Sequence, residues 1–200
     1  MDWGPSQEEL RCGVSVLARE GRSLDGLADL VRNLGITCEQ VRGLLTANPL
    51  RPYGRRVLFG GPGLEVMVAR WTPGQECAPH DHGGSVGVVQ VLQGHGFHRV
   101  WSVSDGVLEP EDPEHVVSGD LLYATPELIH SMGDAGASEP LVTLHFYVDV
   151  IPNMVVYDVA GRRSLVVDSG CGAWVPHDQP ELILQQAPGF VSRGALESWT

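Results

Sequence analysis

A mainly β chain, one small antiparallel barrel behind a cap of about three short helices, is what this sequence predicts. Three observations predict it. Helix start and stop signals are confined to the first fifty residues, the apolar period from residue 51 onward is that of strands, and turn signals then recur too closely for crossover helices. The 200 residues suffice for one domain with a real core. The expected division is a helical cap over 1–50, a barrel over 51–170 and an irregular tail over 171–200 packed on it.

In the cap, Ser6-Gln7-Glu8-Glu9 and Thr37-Cys38-Glu39-Gln40 both fit a capping box, in which a hydroxyl and an acid or amide satisfy orphan backbone donors. Between them Leu24, Leu27, Leu30, Val31 and Leu34 form a helical stripe after Ser23 that stops at Gly35, and Asn48-Pro49 closes the third helix. Strands are expected at 64–71, 86–92, 97–103, 121–124, 141–148 and 154–159, where β-branched and aromatic residues concentrate. Gly60-Gly61-Pro62-Gly63, Pro73-Gly74, Gly94-His95-Gly96, Ser104-Asp105-Gly106, Ser118-Gly119-Asp120 and Ala160-Gly161 separate them. Beyond about residue 170, proline and glycine dominate and the periodicity fades.

Composition excludes several classes of function. Every one of the 13 basic residues is arginine, so Schiff-base chemistry and a P-loop lysine are ruled out. The formal charge of −12, with no basic run, removes the electrostatic footprint of a nucleic-acid or anionic-membrane binder. No stretch has the length of a membrane span and the N-terminus has no secretory pattern, so a cytoplasmic protein acting on small molecules is expected. Cysteines at 12, 38, 77 and 171 form no C-x-x-C pair and read as thiols, Cys77 among them as buried.

The chemistry concentrates in histidines. In Pro79-His80-Asp81-His82-Gly83-Gly84 an extended chain puts His80 and His82 on one face, able to share a metal ion, while Asp81 points away. A third ligand has to come from a distant strand, and the run from Gly119 through Pro126 to His130 supplies the candidate His130. His95, His98, His115 and His177 lie in turns or beside polar residues and read as surface or loop histidines. Thr143, His145 and Tyr147 alternate along one strand, so all three share a face.

His80, His82, Gly94, Gly119, Pro126 and His130 resemble the two motifs of the cupin superfamily, which implies a jelly-roll-type barrel. The carboxylate common in the first motif falls on Gly87, so the ligand set is three neutral imidazoles. Trp71 nine residues before His80, Val91-Leu92-Gln93-Gly94, Glu139-Pro140 and Thr143-Leu144-His145-Phe146-Tyr147 are similar to the cysteine dioxygenase family of thiol dioxygenases, and this resemblance covers most of the chain. It implies Fe(2+) on His80, His82 and His130, with O2 and a small carboxylate-bearing thiol as substrates and a sulfinic acid as product.

The same resemblance implies a relay in which Thr143, in place of serine, fixes His145 and His145 orients Tyr147 as the hydrogen-bond donor beside the iron. Tyr53-Gly54-Arg55 matches the stretch that carries the arginine for the substrate carboxylate, with Arg56 pointing the other way and Arg70, Arg99 and Arg162 as the other candidates. A glycine at 87 rules out the crosslink that a cysteine there makes to the tyrosine in animal members. Trp71 and Met154 either line the substrate pocket or fill the core, and the Thr143–His145–Tyr147 run either relays or satisfies its own hydrogen bonds. Two other functions fit the same motifs: a metal-dependent cupin dioxygenase or isomerase acting on a non-thiol, and a metal-bound ligand sensor without turnover.

Overall fold

The computed structural model describes residues 8–10, 13, 23–61, 63–136 and 138–197. Helix α1 spans Leu24–Leu34; Ser23 accepts the Gly26 N–H at its start, and Gly35, at φ 57°, ends it by donating to the Arg32 carbonyl. Thr37 and Gln40 form the expected capping box of α2, Cys38–Val41. That third expected helix is a single turn continued by a 3-10 turn, Arg42–Leu44, and it ends before Asn48-Pro49. Residues 8–10 and 13 are helical, whereas Ser6 and Gln7 of the first capping box lie outside the described residues.

Twelve strands follow among the described residues: β1 Tyr53–Gly61, β2 Leu64–Trp71, β3 Val86–Gln93, β4 His95–Ser104, β5 Val107–Pro110, β6 Glu114–Val117, β7 Leu121–Ala124, β8 Ile129–Asp134, β9 Val142–Val148, β10 Asn153–Asp158, β11 Arg163–Asp168 and β12 Ile183–Pro188. The chain is mainly β, as its periodicity predicts. One sheet runs β1-β2-β9-β3-β7; β4 pairs with β5, β6 and β8, and β10-β11-β12 form a third group. His80 joins the last two groups by bridging to His130 of β8 and to Val156 of β10.

Six strands escape the sequence reading. In β1, Arg55-Arg56 and the glycines at 54, 60 and 61 hide the strand signal, and β8 carries His130, Ser131 and Gly133. The tail expected to be irregular contains β12 and a short helix α3, Arg193–Glu197, with β12 held on β11.

The central strands of the first sheet, β2, β9 and β3, are largely buried on both sides, which decides what the site can be. Val66, Val68, Val88, Leu144 and Phe146 point one way and pack with Leu27, Val31 and Val41 of the cap. Met67 and Tyr147 point the other way, against Met154, Val156 and Leu165. Alternation in β9 therefore sends its apolar side chains to the cap and Thr143, His145 and Tyr147 to the space between the sheets. Phe146 is wholly buried and stabilises this layer by about 2–3 kcal/mol through the area it removes from water. Among the described residues no helix is long and apolar enough to cross a membrane.

Candidate metal centre

Backbone pairing brings the histidines together. His80 N–H donates to the His130 carbonyl at 2.9 Å and His130 N–H returns the bond at 3.0 Å, so two residues fifty apart in sequence face each other. After His82 the chain turns sharply: Gly83 and Gly84 have φ 65° and 83°, and Ser85 N–H closes the turn on the His82 carbonyl. One ring nitrogen from each of His80, His82 and His130 then lies within 4.8 Å of the others. Asp81 turns away. Its carboxylate accepts the N–H groups of Gly83 and Val155 and is gripped by Arg193 through Nε at 2.8 Å and Nη2 at 2.7 Å.

The hydrogen bonds also select which nitrogen faces inward. His80 Nδ1 is 3.0 Å from the Ala78 carbonyl, which can only accept, so Nδ1 carries the proton and Nε2 keeps its lone pair. His130 Nδ1 lies 2.9 Å from His98 Nε2, leaving His130 Nε2 to approach His82 Nε2 at 3.2 Å. Burial lowers His80 to about 4 and pushes His82 and His130 well below the ordinary value, with the neighbouring imidazoles adding to the effect. All three are neutral near pH 7.

Converging nitrogens from three buried imidazoles suit a shared cation. The residues present can hold a divalent metal ion, and an all-imidazole set suits iron, zinc, copper or nickel.

The cavity in front of the histidines also reaches Tyr53, Arg55, Trp71, Tyr147 and Met154. Every residue singled out from the sequence for binding thus lines one space, together with Met67, Met132 and Ile151. Arg55 donates to the Ser169 carbonyl at 2.6 Å, and Tyr53 accepts the Ala173 N–H at 2.8 Å, so the segment that follows β11 holds both. Arg56 is exposed. Cys77, also on the wall, takes the Met132 N–H on its sulfur, and burial raises its thiol to about 12, so it stays protonated.

A chain of hydrogen bonds runs along the sheet. Trp71 Nε1 donates to Thr143 Oγ1 at 2.9 Å, Thr143 meets His145 Nε2 at 2.8 Å, and His145 Nδ1 meets Tyr147 Oη at 3.1 Å. An indole can only donate, so the threonine oxygen accepts there, which leaves its own proton available to His145 Nε2. In the tautomer that takes that proton, His145 Nδ1–H donates to Tyr147, whose own proton is left for the cavity. Burial lowers His145 to about 3, with His80 and Arg55 adding to it, and raises Tyr147 far above its ordinary value, so imidazole and phenol both stay neutral. Trp71, read as pocket or core, is thus the outer end of this chain.

One residue contradicts its sequence reading. His98 is not a surface histidine: it is buried and bonded to His130. Its place depends on the β4–β8 pairing, where His98 sits opposite Met132, next but one to His130. No local pattern carries that register.

Among solved structures, the chain is similar to an uncharacterised conserved protein with a double-stranded β-helix domain from Klebsiella pneumoniae subsp. pneumoniae MGH 78578. The identity is 20% over 58% of this chain and 92% of that one, with a TM-score of 0.47. It is also similar to a cupin superfamily protein from Desulfitobacterium hafniense DCB-2, at 14% identity over 54% and 86% of the two chains and a TM-score of 0.42. The sequence of the cysteine dioxygenase type I family matches residues 49–160, a span that takes in Tyr53, Arg55, the three histidines and the Thr143–His145–Tyr147 run. Because that match extends over more than half of the 200 residues, the chain belongs to the cysteine dioxygenase type I family.

Proposed function

We propose that this protein is an iron(II)-dependent thiol dioxygenase that converts a small carboxylate-bearing thiol, such as cysteine or 3-mercaptopropionate, to its sulfinic acid. The observation that supports it best is a three-imidazole cluster with no carboxylate, opening on a cavity that also holds an arginine and a phenol. A ferrous ion on His80, His82 and His130 would supply the redox chemistry of dioxygen and sulfur. The balance needs no other reductant: RSH + O2 gives RSO2H, the O–O bond breaks, two S–O bonds form, and sulfur loses the four electrons that dioxygen gains.

The chain's own work is binding, orientation and proton placement. Arg55 binds the substrate carboxylate through two parallel N–H donors, a geometry lysine lacks. Met67, Ile151 and Met154 surround the thiol's carbon chain and keep water away. Tyr147 holds its proton at Oη, directed at the reacting atoms, and Trp71, Thr143 and His145 keep the phenol in that orientation. Free thiols at Cys38, Cys77 and Cys171 suit a reducing compartment, which agrees with action in the cytoplasm.

The test is oxygen consumption by iron-loaded protein against a panel of thiols, with mass spectrometry of the product. Uptake with a carboxylate-bearing thiol and a gain of two oxygens is expected. Binding of thiols without uptake would turn the protein into a ligand sensor, and uptake only with non-thiols would make it another kind of dioxygenase; either overturns the proposal.

A further inference from the structure

We propose that His98 is a positioning residue for the metal centre: it accepts the Nδ1 proton of His130 and so fixes the tautomer and ring orientation that turn His130 Nε2 toward His80 and His82. This rests on the reading of the three-histidine cluster as a metal site. The geometry is specific. His98 is buried on β4, its Nε2 lies 2.9 Å from His130 Nδ1, and the two rings sit 5.0 Å apart at 59°. His130 Nε2 is the nitrogen that approaches His82; with that nitrogen as the metal ligand, Nδ1 is the one that carries the proton, and His98 Nε2 is its acceptor. Without it, a buried N–H on β8 would have no partner and the ring could rotate or change tautomer.

The partner's chemistry matters as much as its place. Metal-bound histidines often lean on a carboxylate. Here the acceptors are a neutral imidazole for His130 and the Ala78 carbonyl for His80. Glu114, opposite His98 in the β4–β6 register, is exposed and makes no hydrogen bond to it among those of the described residues. Among the described residues, a cation at this centre therefore meets no negative charge in its ligands or in their hydrogen-bond partners, and keeps its full attraction for an anionic ligand such as a thiolate.

Anaerobic titration with Co(II) or Fe(II), read by dissociation constant and visible spectrum, tests this together with the melting temperature of the metal-free protein. His98→Leu and His98→Phe remove the acceptor and should weaken metal binding about 10- to 100-fold. His98→Gln, which keeps an acceptor oxygen, should recover most of the affinity and the wild-type Co(II) spectrum. Nitrogen chemical shifts of the metal-free wild type should report His130 protonated at Nδ1, a readout that needs no variant to fold. Unchanged affinity in the leucine and phenylalanine variants, or an Nε2–H tautomer at His130, overturns the role of His98. Failure of the wild type to bind any divalent metal would instead bring down the metal-site reading, so the two failures are distinguishable.

Discussion

The ring of Tyr147 lies directly against the bare Cα of Gly87, its partner in the β3–β9 register: a Cβ built at Gly87 would come within 2.4 Å of Tyr147 Cδ1 and 3.0 Å of the Phe146 carbonyl. Glycine here does more than remove a metal-ligand or crosslinking side chain; it makes the room in which the phenol sits between His145 and His82. Gly87→Ala should therefore push the phenol off its hydrogen bond and cost about 1–3 kcal/mol by overpacking. Melting temperature and thiol-dependent oxygen uptake should both fall while metal content stays near wild type. An alanine variant with unchanged uptake would show that the phenol can move without consequence.

The polarity of the Trp71–Thr143–His145–Tyr147 chain predicts graded effects. Tyr147→Phe removes the proton that faces the cavity and should lower kcat by about 100- to 1,000-fold with metal retained, the scale of losing one oriented donor. Thr143→Val frees His145 to change tautomer and should approach the same loss. Trp71→Phe removes only the outermost donor and should cost less. The order phenylalanine at 147, valine at 143, phenylalanine at 71, from largest to smallest loss, is what steady-state kinetics should return; equal rates across the three would mean that the chain merely fills space.

Arg55 makes a separable prediction, because it binds and does no chemistry. Arg55→Ala should raise KM for carboxylate-bearing thiols by 10-fold or more, as expected for a lost charge-assisted pair of about 1.5–3 kcal/mol. It should leave KM for an uncharged thiol of similar size nearly unchanged. Equal increases for both would reassign the carboxylate to another arginine.

Acid should destabilise the metal-free protein early. Burial holds His145 near 3 against an ordinary value of 6.5, and His80, His82 and His130 move in the same direction. A histidine whose folded value is depressed contributes stability fully present above about pH 6.5. That stability is lost as pH falls through 6.5 toward the folded value, because only the unfolded chain then takes up the proton. Each such group contributes up to ~1.4 kcal/mol per pH unit in that window. Melting temperature should drop by at least about 5 °C from pH 7 to pH 5.5. His145→Gln should make the decline shallower, and a flat profile would contradict the burial of these rings as neutral bases.

What the sequence discloses here is mostly what lies within a few residues along one strand. His80 and His82, or Thr143, His145 and Tyr147, share a face because side chains alternate, and this is legible without any pairing. His130 is legible as a candidate from its motif, whereas its position against His80 is a product of two backbone bonds across the fold. His98 and Arg193 are illegible for a related reason: each meets its partner through strand register or tail path, which local pattern does not encode. Strand β1 was hidden by the very residue that gives it interest, since Arg55 beside Arg56 reads as an exposed run.

Arg193, far from the histidines in sequence, holds the residue between two of them. Its guanidinium makes two bonds to Asp81 and a third to Asn153 Oδ1 at 2.8 Å, and the pair is largely buried, with side-chain exposures of 21% and 5%. Arg193→Met would leave the Asp81 carboxylate buried without its cation, a loss on the order of 3–5 kcal/mol. The segment that carries His80 and His82 would loosen with it, so metal should be held more weakly as well as the fold. Pairing it with Asp81→Asn removes the stranded charge while keeping an acceptor for the Gly83 and Val155 N–H groups, and should return part of both losses. Metal-binding titrations and urea unfolding of the single and double variants measure the two effects separately. If Arg193→Met melts and binds metal like the wild type, the tail is only a passenger on this face, and the loop owes its shape to Gly83 and Gly84 alone.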